Sequence, residues 1–109
     1  CVIDILLCDR DINRLCMRVH EANQQWWHDI NTGEKLDRNV PEMLALVHSE
    51  ISEALEGHRK NLNDSHLPHR KSIEVELADA LIRIFDLALA LAALFARPLW
   101  RRELKPVLA

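Results

Sequence analysis

Three stretches of the chain carry apolar residues at helical spacing, separated by polar connectors. In the first, from about Asp9 to His28, the residues Ile12, Leu15, Cys16, Val19, Asn23, Trp26, Trp27 and Ile30 follow i, i+3, i+4, i+7 spacing and form one stripe. Asp9 or Asp11 can cap its start. Asn31-Thr32-Gly33 is expected to end it, because Asn and Gly tolerate the left-handed conformation of a helix stop. After a polar connector, Pro41 sits where a first helical position would be, and its missing N–H costs nothing there. The second helix is predicted from about Pro41 to Asn61, with Met43, Leu44, Leu46, Val47, Ile51, Ala54 and Leu55 as its apolar set. Residues 61–68 read as a loop by composition. The third helix is predicted from about His69 to Ala96, ending before Pro98. Ile73, Leu77, Ala80, Leu81, Ile84, Leu87 and Leu91 form one of its faces, and Val75, Ile82, Phe85 and Leu89 lie largely opposite. A helix apolar on two sides is expected to be buried on two sides. The tail from Pro98 is basic early on (Arg101, Arg102, Lys105) and is read as holding one short helix.

Composition narrows the class. At 109 residues the chain is the size of one domain, and 49% hydrophobic content is too high for disorder. No run of about 18 apolar residues is present to span a bilayer. Two glycines, Gly33 and Gly57, and four prolines are too few for the turns of a sandwich or barrel, or for a Gly-rich phosphate loop. The expected fold is therefore all-α: a helical bundle of three long helices plus a short C-terminal helix, in a single domain over residues 1–109. A domain this small leaves roughly a third of its unfolded-chain surface exposed. Wide apolar helix faces then point to oligomerisation with further copies. A net charge of -3 argues against nucleic acid as the main partner. Cys1, Cys8 and Cys16 show no Cys-x-x-Cys spacing and read as reduced thiols. Residues 1–8 lack a basic n-region and a small-residue cleavage site, so a cytoplasmic protein is expected, away from any membrane.

The acids carry the chemistry. Glu50-x-x-Glu53 falls on the second helix and Glu76-x-x-Asp79 on the third. A spacing of i, i+3 puts both carboxylates of a pair on one helix face. Glu50 and Glu53 project at the margin of the apolar stripe, whereas Glu56 points away. Glu76, Asp79, Arg83 and Asp86 form a narrow polar strip between the two apolar faces of the third helix. Two such helices side by side bring four carboxylates together, which raises their pKa values and calls for a cation. Arg83 supplies one charge. A divalent, oxygen-loving ion is the better match, Mg²⁺ or Mn²⁺, since no Cys or His is interleaved to favour zinc. Against this stands the ordinary reading of E-x-x-E as a solvated helix face. A di-iron bundle would need Glu-x-x-His pairs, which are absent from both positions.

Residues 38–53 (RNVPEMLALVHSEISE) followed by residues 76–82 (ELADALI) resemble the MazG-type all-α nucleoside triphosphate pyrophosphohydrolases, whose signature is E-E-x-x-E, a gap, then E-x-x-D. Twenty-two residues separate Glu53 from Glu76, and the resemblance spans about half the chain. The phrase around residues 38–53 is most similar to the dCTP pyrophosphatase branch. The resemblance implies a helical domain that forms a homodimer or homotetramer. It implies Mg²⁺ held by Glu50, Glu53, Glu76 and Asp79, and hydrolysis of a nucleoside triphosphate to the monophosphate and pyrophosphate, as in nucleotide-pool housecleaning. The pattern departs from the family at Ser49, where the first Glu of the E-E pair often stands, and at Arg83, where the dCTP branch often has Tyr. Gly57-His58-Arg59-Lys60 stands where that branch often has an aromatic.

Other residues are read beside that resemblance. Trp26 and Trp27 end the first helical pattern, where such enzymes often build a base pocket; a Trp face can stack on a base, and packing is the competing role. Asn23, inside the apolar stripe, can read a base edge or bond a neighbouring helix. Arg83 can meet a phosphate or pair with Asp79 or Asp86. Lys60, with Arg59, Arg70 and Lys71, flanks the loop between the acidic pairs and can reach phosphates or remain solvated. His66 and His69 read as loop surface. The expected substrate contacts are thus Asn23, Trp27, Lys60 and Arg83. The alternative to an enzyme is a helical dimerisation or regulatory module whose acidic pairs make salt bridges.

Overall fold

The structure, a computed structural model, describes residues 9–94, with side chains from Arg10 to Ala92. Among these residues the chain is all-α. It forms α1 (Asp9–Ala22), a 3-10 turn (Gln24–Trp26), α2 (Val40–Arg59) and α3 (Ser72–Leu94), with isolated bridges at His28–Lys35 and Asn63–Lys71 in place of strands. The expected short C-terminal helix, the helix end before Pro98 and residues 1–8 lie outside the described residues. No described helix is long and apolar enough to cross a membrane. The described backbone divides into two compact units, residues 9–35 with 85–94, and residues 36–84.

In the first unit, α1 stops at Ala22, six residues short of the predicted end. Asn23 is the cause. Its side-chain Nδ2 donates to Val19 O at 2.8 Å, the carbonyl its backbone N–H would take in a continuing helix. The Asn23 N–H bonds His20 O instead, and Trp26 and Trp27 follow with i−3 bonds of a tighter turn. Trp26 and Trp27 therefore lie beyond the helix rather than on its stripe. Gly33 (φ 74°) does not stop α1; it closes a separate turn in which its N–H bonds Asp29 O and the Asp29 carboxylate accepts from Asn31 and Thr32. Of the predicted stripe, Cys16 is fully buried, while Leu15 is exposed and Ile30 is 82% exposed.

The same unit buries Asp86 of α3 completely. Trp27 Nε1 donates to both its oxygens, at 2.8 and 3.0 Å, and His20 Nδ1 bonds Oδ1 at 2.7 Å. The two rings stand 5.8 Å apart and tilted. A buried carboxylate is tolerated when donors converge on it, and here two side chains from the opposite end of the sequence provide them.

In the second unit, Asn39 caps α2 by accepting the Glu42 N–H at 2.9 Å, and Pro41 occupies the first turn as anticipated. Asn61 (φ 49°) turns the chain after Arg59. The connector is pinned by Leu62 N–H to Gly57 O, Ser72 N–H to Leu62 O and Asp64 N–H to Arg70 O. Gly57 is buried where the end of α2 meets the start of α3: a Cβ there would lie 2.7 Å from Ser72 Oγ and 2.8 Å from Ser72 Cβ. Met43, Ala54 and Ala80 form the buried apolar centre. Leu44, Ile51 and Leu55 on α2 and Leu77, Leu81 and Ile84 on α3 are 37–55% exposed, so the expected burial of α3 on two sides fails on the face that carries Leu77, Leu81 and Ile84, while Val75, Ile82, Phe85 and Leu89 opposite are half-buried.

Gly57→Ala is expected to lower unfolding free energy by about 1–3 kcal/mol through overpacking against Ser72. This outweighs the roughly 1 kcal/mol that Ala gains over Gly in a helix. Urea unfolding followed by circular dichroism measures it, and a stabilised variant would show that the contact is slack.

Candidate functional site

Glu50 and Glu53 stand one turn apart on α2, and Glu76 and Asp79 one turn apart on α3. Packing α2 against α3 brings one carboxylate oxygen from each of Glu50, Glu76 and Asp79 within 4.8 Å of one another. Glu50 is buried, Glu76 and Asp79 are half-buried, and Glu53 is exposed. Glu53 is not part of the three-oxygen cluster, but it hydrogen-bonds Glu76 and lines the same cleft. That cleft, about 460 Å³, is walled by the four acids together with Asp64, Ser65, His66, Leu67 and Val75.

Crowding shows in the electrostatics. Burial, hydrogen bonds to Glu50 and Glu53, and the charges of both push the Glu76 pKa up to about 8. Burial, followed by the charges of Glu50 and Asp64, raises Asp79, with Arg83 and a hydrogen bond to Glu76 opposing. Arg83 Nε donates to Glu50 Oε1 at 2.8 Å. The cluster therefore presents oxygen donors only, short of positive charge, which is the donor set that suits a hard divalent cation.

The structure thus gathers Glu50, Glu53, Glu76 and Asp79 at one cleft, with Arg83 bonded to Glu50. Lys60 lies at the exposed end of α2 and pairs with Glu56. Asn23 and Trp27 belong to the other compact unit, where Asn23 closes α1 and Trp27 holds Asp86. Ser49, exposed, donates its hydroxyl to Leu46 O at 2.6 Å. His66 is exposed, as expected of loop surface, but it also borders the cleft.

One acid of the cleft, Asp64, escaped the sequence reading, and for Asp86 only the partners did. Asp64 lies in the polar loop, where an Asp reads as solvated; the sequence Asp64-Ser65-His66 is an Asx-turn signature, but its burial is not visible from it. Asp86 was visible as part of a polar strip, while its partners, 59 and 66 residues away, were not. Comparison with family models, with characterised proteins and with solved structures finds no match for the chain.

A carboxyl whose folded pKa lies above its ordinary value stabilises the fold while protonated and loses that contribution as it ionises. For Glu76 the contribution is complete below its ordinary 4.5 and is lost as pH rises through about 8, and Asp79 acts in the same sense. Metal-free protein is therefore expected to lose stability between about pH 5 and pH 8, the reverse of a salt-bridged carboxylate. Flat stability over that range, read by urea unfolding at each pH, would refute the shift.

Proposed function

We propose that the chain is a Mg²⁺-dependent nucleotide pyrophosphohydrolase, cytoplasmic and of the housecleaning kind, cleaving a nucleoside triphosphate between its α and β phosphates. The observation that carries this reading is the three-oxygen cluster of Glu50, Glu76 and Asp79, with Glu76 raised to about 8 by burial and by its neighbours Glu50 and Glu53. The resemblance of residues 38–53 and 76–82 to MazG-type enzymes supports the same assignment. Glu50, Glu76 and Asp79 would hold the ion, with Glu53 beside them, and Mn²⁺ suits the same donors. Bound Mg²⁺ would neutralise phosphate charge and make water a better nucleophile. Glu53, exposed on the cleft wall, orients the attacking water and takes its proton. Arg83 anchors Glu50 and adds positive charge where phosphate arrives. Glu76, whose proton affinity is raised in the cleft, would have to ionise to serve as a ligand.

The Arg83–Glu50 pair also favours a second reading, in which the acids make salt bridges in a non-catalytic dimerisation or regulatory module. Pyrophosphate release from a panel of ribo- and deoxyribonucleoside triphosphates separates the two. Turnover with Mg²⁺ is expected, and Asp79→Asn should reduce it by about 100-fold or more, the scale of losing a transition-state contact, with helicity intact. No turnover and no metal uptake would leave the salt-bridge reading.

On this reading the exposed stripes of α2 and α3 are where a second copy docks, giving a homodimer or a pair of dimers. Ile51→Asp together with Leu81→Asp is expected to shift the sedimentation coefficient to that of a monomer; an unchanged value would exclude this surface.

A further inference from the structure

Besides the helical acids, the cleft is lined by consecutive residues of the connector between α2 and α3, from Asp64 to Leu67. Their backbone is fixed. Asp64 N–H donates to Arg70 O and Arg70 N–H to Leu67 O, each at 2.9 Å, and the Asp64 carboxylate accepts the N–H groups of His66 and Leu67. His66 is thereby held in the cleft wall while remaining exposed. Among the described residues that line the cleft, five are acids, and His66 alone can carry positive charge.

The ring is not spent on those acids. Among the described residues its hydrogen-bond partner is Ser65 Oγ, 3.3 Å from Nδ1. With the Ser65 hydroxyl donating there, the hydrogen of the neutral ring sits on Nε2, and the imidazolium carries one there too, so either form leaves Nε2–H to donate. The other basic side chains close in sequence are engaged elsewhere: Lys60 pairs with Glu56 and Arg70 with Glu74, and neither lines the cleft. Solvation accounts for the exposure of His66 but not for its place as the one cationic group of an acid-lined cleft.

A triphosphate carries more negative charge than one divalent ion offsets, so a wall of carboxylates has to be relieved by a donor where the rest of that charge lies. Glu50, Glu76 and Asp79 gather at one point, and His66 lies outside that cluster. It therefore meets a part of the ligand beyond the bond being broken. An N–H donor binds an anionic oxygen more strongly than a neutral base or sugar, which favours the phosphate side. We propose that His66 is a substrate-binding residue whose Nε2–H donates to an oxygen of the terminal phosphates, the part that leaves as pyrophosphate. The inference rests on the pyrophosphohydrolase reading and adds to it the group that receives the outer phosphates.

The test is steady-state kinetics of the full chain with Mg²⁺ and the triphosphate it cleaves fastest, for wild type, His66→Ala and His66→Gln. His66→Ala is expected to raise KM about tenfold or more, with kcat changed less than about threefold. Inhibition by Mg²⁺-pyrophosphate should weaken by a similar factor, and inhibition by the product monophosphate should not. His66→Gln keeps an N–H donor and should recover part of the loss. Mn²⁺ uptake and the urea midpoint of both variants should match wild type. Unchanged KM and pyrophosphate inhibition in His66→Ala, a loss confined to the monophosphate, or weakened Mn²⁺ uptake would each overturn the proposal while leaving the enzyme reading in place. Absence of turnover by wild type would overturn that reading and the proposal with it.

Discussion

Mutual repulsion of carboxylates held in a half-buried cleft is the constraint on which the second unit depends. Charges about 5 Å apart repel by roughly 3 kcal/mol at an effective dielectric near 20. The fold meets this load locally. Arg83 bonds Glu50, and Glu76 keeps a proton well above the range where a carboxyl ordinarily loses it. On the proposed reading a divalent ion would take the place of both remedies. What holds the acids together against repulsion is packing: the close approach of Gly57 to Ser72, the Asn39 cap and the pinned connector fix where α2 and α3 run.

The first unit treats a buried acid in the opposite way. Asp86 is more deeply buried than any acid of the cleft, but donors from Trp27 and His20 converge on it. The comparison separates two meanings of a buried carboxylate. One surrounded by donors organises structure, whereas one surrounded by other carboxylates is poised for a ligand. Trp27, expected on sequence grounds to stack on a base, has its ring nitrogen committed to the first role.

α2 serves three purposes with three sides. Met43, Ala54 and Gly57 are buried, Glu50 and Glu53 look onto the cleft, and Leu44, Ile51 and Leu55 remain exposed. In a domain of this size the buried apolar centre is small, and an exposed stripe at helical spacing is what a second copy would cover.

The sequence by itself determined the all-helical class, the start of α2 near Pro41, the loop between α2 and α3, and the pairing of acids at i, i+3, because each follows from local periodicity or from one residue's own bonding. It did not determine the end of α1, where Asn23 takes the carbonyl the helix needed, a competition that periodicity does not register. Tertiary structure alone decided that Arg83 goes to Glu50, that Glu53 stands aside from the three-oxygen cluster, and that Asp64 and Asp86 are buried. Each of those outcomes depends on which surfaces meet across tens of residues, and a carboxylate's chemistry is set by the company it is packed with rather than by its neighbours in sequence.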